Sequence, residues 1–176
     1  VRISRLDEAD PFESILCLNN RGSFEPNDIT GYPVGLTERK YIAKNQELEY
    51  LIRFQNTGTD TAFTVVITDT LPATLDAGSI TMGAGSHPFS WEMQAGGTLK
   101  CYFVNILLPD SNVNEPMSHG FVGFRIRPHL PLPVGTVIEN TANIYFDYNQ
   151  AVITEPSVLV AEFSTGVQRR KPARVQ

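Results

Sequence analysis

The chain has 176 residues, 41% of them hydrophobic and 19% charged, enough for one domain with a real core plus extensions. Its net charge of −5 hides an asymmetry: the last eight residues, RRKPARVQ, carry four positive charges and no acid, so residues 1–168 hold ten bases against nineteen acids, a net of −9. An acidic body argues against a nucleic-acid partner, which needs a basic face, and no apolar run approaches the roughly 20 residues that insert as a membrane helix.

Twelve prolines and thirteen glycines favour short strands with turns. No charged-then-apolar leader is present, and a chain that starts at Val1 reads as processed or as a piece of a longer one. Residues 1–20 contain two short extended candidates, Val1-Arg2-Ile3-Ser4 and Ser14-Ile15-Leu16-Cys17-Leu18, fit to finish a preceding domain or to form an arm that pairs with a sheet edge. Residues 21–36, RGSFEPNDITGYPVGL, are turn-rich and aperiodic, which predicts a linker or surface loop. Arg39–Ala43 is a candidate first strand.

From Glu47 the pattern sharpens. Leu48, Tyr50, Ile52 and Phe54 alternate with Glu47, Glu49 and Arg53, leaving Leu51 alone on the polar side, as expected of a half-buried strand. Turn chemistry follows in Gln55-Asn56-Thr57-Gly58-Thr59-Asp60. Alternation resumes with Phe63, Val65 and Ile67 against Thr64, Val66 and Thr68, so the two segments are expected to be neighbouring antiparallel strands. Leu71-Pro72 ends the second, and residues 73–88 are expected to be an irregular connection carrying Leu75, Ile80 and Met82. Ser90–Gln94, around Trp91, and Leu99–Leu107 read as strands joined at the Gly96-Gly97 hairpin signal; the two apolar faces of the latter suggest a central position. Phe121–Arg127 is next, with Val122, Phe124 and Ile126 on one face. Pro128–Gly135 is a proline-rich crossover that excludes a helix. Val137–Phe146 and Ala151–Val160, separated by an Asp147-Tyr148-Asn149 turn, complete the set. The fold class is therefore all-β, an immunoglobulin-like antiparallel β-sandwich of eight or nine strands with an extended N-terminal arm. Its divisions are residues 1–36 (arm and linker), 37–162 (sandwich) and 163–176 (basic tail). The tail reads as a solvated linker, or as a segment that touches an anionic surface or the acidic body itself.

Catalytic motifs are missing: there is no GxSxG elbow, GxGxxG, P-loop or HExxH. His87, His119 and His129 fall in or beside loops, and Ser118 and His119, adjacent in extended chain, point to opposite faces. No pair of acids is nominated for glycoside hydrolysis, and Asp69 and Asp147 fall where turns favour Asp. The chain reads as a non-enzyme. Cys17 and Cys101 lack zinc spacing; Cys101, in line with Leu99 and Phe103, reads either as a buried free thiol or as one half of a disulfide that pins the N-terminal segment to the domain.

Two ligand readings stand beside bland ones. Asp110, Asn112 and Asn114 reproduce the D-x-N-x-N spacing of a calcium loop, but Glu115 stands where Gly is required and Phe121 where a bidentate Glu belongs; ordinary turn-forming residues are the alternative. Trp91, with Tyr32, Tyr102 and Tyr148, is available as an aromatic platform for a glycan, or Trp91 belongs to the core. The asparagines of NTANIYFDYN also raise an intramolecular Lys–Asn isopeptide bond, with Lys40, Lys44 or Lys100 as partner, which would show as an intact-mass deficit of one ammonia.

The ordered segments FQNTGTDTAFTVVITDTL, LPDSNVNEPMSHGFVGFRI and NTANIYFDYNQAVIT resemble a repeat domain of large secreted surface proteins of Bacteroidetes-type bacteria, over roughly residues 17–160. The upstream GSFEPNDITGYP is similar to that family's lead-in, Gly-Ser-Tyr/Phe-Asp-Pro-Asn-Asp-Lys, with Glu25 in place of the usual Asp and Ile29 in place of the usual Lys. The resemblance implies an extracellular Ig-like module associated with type IX secretion, with no catalytic residues to carry over. The expectation is a structural or adhesive module of a cell-surface protein, in its most pointed form a filament subunit whose N-terminal arm adds a strand to its neighbour. Its partners would be neighbouring domains or copies of the same chain, or a glycan or other surface target. The alternative is a ligand-binding module for glycan or calcium.

Overall fold

The computed structural model describes residues 26–163. They form twelve strands: β1 (Asp28–Tyr32), β2 (Tyr41–Ala43), β3 (Leu48–Gln55), β4 (Ala62–Thr70), β5 (Leu75–Gly85), β6 (Ser90–Gln94), β7 (Thr98–Leu108), β8 (His119–Pro128), β9 (Thr136–Asn140), β10 (Ala142–Phe146), β11 (Val152–Ile153) and β12 (Ser157–Phe163). One helical turn, α1 (Ser111–Asn114), and a 3-10 turn at Glu115–Met117 interrupt them. The protein is an all-β, Ig-like sandwich.

The strands sort into a first sheet of order β1-β3-β8-β5, a second of order β11-β10-β4-β7-β6, and a small third of order β2-β12-β9. All pairings are antiparallel except β2 with β12. Alternation dictates the core. β3 buries Leu48, Tyr50, Ile52 and Phe54, β8 buries Val122, Phe124 and Ile126, and β4 and β7 answer with Val65, Ile67, Cys101 and Phe103. Rings knit the two layers: Phe54 stands edge-on to Phe103 at 5.2 Å and to Phe146 at 6.3 Å, a favoured aromatic geometry. Gly120, opposite Phe54 in the β3–β8 register, lies so close to that ring that an added Cβ would come within 2.2 Å of it.

Several expectations are revised. β3 and β4 are consecutive but do not pair; β3 joins β1 and β8, whereas β4 joins β10 and β7. The polar connection crosses between layers, and Asn56 organises it, donating from its side chain to the Asp60 and Leu108 carbonyls. Residues 73–88 are not irregular: β5 pairs with β8, with register shifts between Asp76 and Thr81 and between Met82 and Gly85. The expected Val137–Phe146 strand breaks at Thr141 into β9 and β10, which belong to different sheets. The Ala151–Val160 strand likewise divides into β11 and β12 around Pro156, which has no N–H to donate. The sandwich also begins before residue 37, because Asp28–Tyr32, read as linker, pairs with β3 over five residues. Arg53 of β3 locks this strand through a two-pronged ion pair with Asp28.

Candidate functional site

Three strands place polar side chains in the sealed interior. Asp69 is the third residue of the inward row that starts at Val65 and Ile67, so its carboxylate is carried inside with them. Asn140 ends β9 on the inward side, two positions after buried Ile138. Tyr50 occupies the inward row of β3. Asn140 Nδ2 donates to Asp69 Oδ2 at 2.8 Å, whereas the Tyr50 hydroxyl, Asp69 Oδ1 and Asn140 Oδ1 are buried without a protein partner among the described residues. Burial pushes the Asp69 carboxyl up to about 7, although the Asn140 hydrogen bond pulls the other way. Burial and then the nearby Asp69 push up the Tyr50 hydroxyl, and the same two causes push the Cys101 thiol up to about 12. Cys101 is therefore held as the thiol rather than the reactive thiolate. The other cysteine of the expected pair, Cys17, lies outside the described residues.

The outward faces of the two main sheets differ. On the first sheet, Arg125 pairs with Glu49 at 3.3 Å and Arg127 with Glu47 at 3.4 Å, both exposed. The second sheet shows a row of half-buried Tyr145, Val66 and Tyr102, consecutive across β10, β4 and β7. Beyond it stand exposed Phe63, Val104 and a fully exposed Tyr148. A shallow depression here is lined by Phe63, Thr64, Val66, Asp147 and Tyr148. Phe63 was expected in the core; a register shift between Ala62 and Thr64 turns it outward. The Asp147 carboxylate closes this corner by accepting from Phe63 N at 2.9 Å and Thr64 N at 2.7 Å.

The remaining candidates are dispersed. Asp110 Oδ1 accepts from the backbone of Asn112 and Val113 and caps α1, and Asn114 Oδ1 accepts from Met117 N and caps the 3-10 turn. These oxygens thus serve helix ends, while the Asn112 side chain donates to Gly58 O at 3.4 Å. Among the described residues no three His, Cys, Asp or Glu side chains gather in a way that would hold a metal ion. Trp91 sits on β6 opposite Cys101, 45% exposed at the sheet edge; Tyr102, one strand in, donates its hydroxyl to Glu92 at 2.8 Å. Ser118 is buried and donates to Glu115 O, whereas exposed His119 meets the Glu115 carboxylate at 2.8 Å. His87 Nδ1 lies 2.8 Å from Ser86 Oγ. Lys100 lies on the outward side of β7 and Asn140 on the inward side of β9, so those two do not meet; Lys40 is exposed in the turn before β2.

Residues 25–159 match the family described as Domain of unknown function (DUF7619). The chain belongs to that family. No curated protein matches it. Among solved structures, BcpA, the major pilin subunit of Bacillus cereus, superposes with a TM-score of 0.52 at 18% identity, over 77% of this chain and 39% of that one. The full-length major pilin SpaD of Corynebacterium diphtheriae gives 0.50 at 14% identity, over 75% and 34%. The C-terminal domain of the Streptococcus pyogenes antigen I/II-family protein AspA gives 0.50 at 8% identity, over 77% and 46%. At such identities the likeness is one of fold, and the chain spans less than half the length of each of these proteins.

Proposed function

We propose that this domain is a non-catalytic structural or adhesive module of an extracellular bacterial surface protein, and that it assembles with copies of itself by strand addition through its N-terminal residues. The observation that carries the reading is where the chain keeps its polar chemistry. Asp69, Asn140, Tyr50 and Cys101 are sealed inside, where no substrate reaches them, while the outside offers a charged, ion-paired face and an aromatic one. The pilin-like fold and the resemblance to repeat domains of secreted surface proteins support the same reading, the latter including export by the type IX route. Negative-stain microscopy of the intact chain, repeated without residues 1–20, tests it. Fibres that vanish on truncation are expected; monodisperse particles in both samples would sink the assembly half of the proposal.

A second reading has one observation in its favour. The Tyr145–Val66–Tyr102 row and half-exposed Trp91 offer flat faces of the kind sugar rings stack on, which suits a glycan-binding module. Glycan titration followed by tryptophan fluorescence separates the two, since a purely structural module gives no saturable response.

A further inference from the structure

The geometry points to the outer edge of β6, Ser90–Gln94, as the acceptor for a strand supplied by residues 14–18 of a second copy of this chain. This rests on the reading above that the N-terminal residues act by strand addition, and adds the surface that receives them. An exposed strand edge is a row of unpaired N–H and C=O groups that any extended segment recognises, and folded proteins blunt such edges with bulges, prolines or covering elements. Three of the four edges of the two main sheets are blunted. β1 is covered by the third sheet, with Gly31 N donating to Ser157 Oγ at 3.0 Å. β5 carries two register shifts. β11 is two residues long and is followed by Pro156. β6, like β1, pairs with its neighbour across five residues without a register shift and contains neither proline nor lysine; unlike β1, it has no third-sheet strand laid against it and, among the described residues, no further strand beyond it.

The side chains agree with this assignment. Trp91 and Met93 lie on the inward row of β6, yet Trp91 stays 45% exposed and Met93 only partly buried. Ala77, Met82 and Phe89, from β5 and the link to β6, are likewise only partly buried against the core. A strand laid along β6 would extend the second sheet past Trp91 and Met93. Ser14-Ile15-Leu16-Cys17-Leu18 has the same five-residue length and apolar side chains for both faces.

Topology favours a second copy over the chain's own edge. β5 and β6, joined by four residues, line one side of the sandwich, while β1, which follows the N-terminal residues directly, lines the other. The strand that the donor segment leads into and the acceptor thus lie on opposite flanks, which suits a head-to-tail contact that propagates instead of closing. The nine residues from 19 to 27 reach about 30 Å when extended, enough to cross to a neighbour.

Cys17 lies inside the proposed donor and makes the test direct. Ser90→Cys, Glu92→Cys and Gln94→Cys are made singly in the full chain, oxidised mildly and run on non-reducing gels, with disulfide-linked peptides identified by mass spectrometry. At least one variant is expected to give a ladder of covalent multimers linked through Cys17, and Cys17→Ser should abolish it. If truncation of residues 1–20 dissolves the assemblies but no variant cross-links, the acceptor lies elsewhere and β6 is wrong while strand addition stands. A cross-link within one chain would mean that the segment folds back on its own β6. A Cys17–Cys101 disulfide in the unsubstituted protein would place Cys17 in the core and overturn the assignment. A chain that is monodisperse, uncross-linked and indifferent to truncation would overturn both this inference and the reading beneath it.

Discussion

Asn140 Nδ2 donates to Asp69 Oδ2 at 2.8 Å, tying β9 of the small third sheet to β4 of the second inside a core from which solvent is excluded. The bond satisfies one carboxylate oxygen and leaves Asp69 Oδ1, Asn140 Oδ1 and the Tyr50 hydroxyl without partners among the described residues. A protonated Asp69 brings a donor to this group, which an ionised one does not.

Stability is therefore expected to fall as pH rises. Asp69 is pushed up to about 7 from an ordinary 3.8, so between those values the folded chain holds a proton that the unfolded chain has released. Its contribution is fully present below about pH 4 and is lost as pH rises through 7, a change on the order of 4 kcal/mol. Urea midpoints measured from pH 4.5 to 8 should decline in the parent chain and flatten in Asp69→Asn. A parent profile that rises over this range would contradict the assigned ionisation.

Gly120 has no room for a side chain. With the Phe54 ring 2.2 Å from an added Cβ, Gly120→Ala forces the ring off its packing against Phe103 and Phe146, at a cost of about 1–3 kcal/mol. Phe54→Leu alone should destabilise by a comparable amount. The double variant should be more stable than the sum of the two predicts, because the smaller side chain makes space; strict additivity in denaturant melts would show that the close approach is not what matters.

Asp147→Ala removes an acceptor that serves both Phe63 N and Thr64 N and places alanine at φ +51°. The loss of the acceptor alone is expected to cost about 1–3 kcal/mol, and the left-handed backbone adds to it. Asp147→Asn keeps an acceptor oxygen and tolerates that backbone, so it should lose less than half as much. Equal melting temperatures for the two variants would count against the clamp.

The Asp110 loop should behave as a capped turn. Asp110→Ala is expected to cost about 1 kcal/mol through loss of the N-cap. Because Asp110 and Asn114 already spend oxygens on backbone N–H groups, millimolar calcium should leave the melting temperature of the parent chain unchanged. A calcium-dependent rise that vanishes in Asp110→Ala would show a cation in the loop.

The strands whose alternation is unbroken were legible in the sequence, and their partners were less so. β3 and β8 show the period of two plainly, and their inward rows agree with the buried residues; β7, apolar on both faces, alternates only as far as Phe103. The link between β3 and β4 has the composition of a hairpin turn, yet Asn56 spends its side chain holding a layer-crossing loop; residue type alone does not separate the two uses. β5 was hidden because its register shifts and three glycines erase alternation where a strand meets an edge. Asp69 was passed over as a turn acid, although the signal was available: it falls two residues after Ile67, in phase with Val65, on the inward row. A charged residue in register with a buried row is better read as a core residue first. Asn140 gave less warning, since the break at Thr141 that ends β9 leaves no mark in the alternation.

The parallel pairing of β2 with β12 bears on how the domain responds to force. Tyr41 and Ile42 run alongside Val160 and Ala161 in the same direction, and the Val160 N–H also donates to Lys40 O at 3.1 Å. A pull on the two ends of the chain acts on these strands in opposite senses along their shared axis. Their hydrogen bonds are then loaded in shear, together, instead of being peeled apart one after another. From the N-terminal side tension meets the β1–β3 pair first and then this contact, which resists as a unit once β1 has yielded.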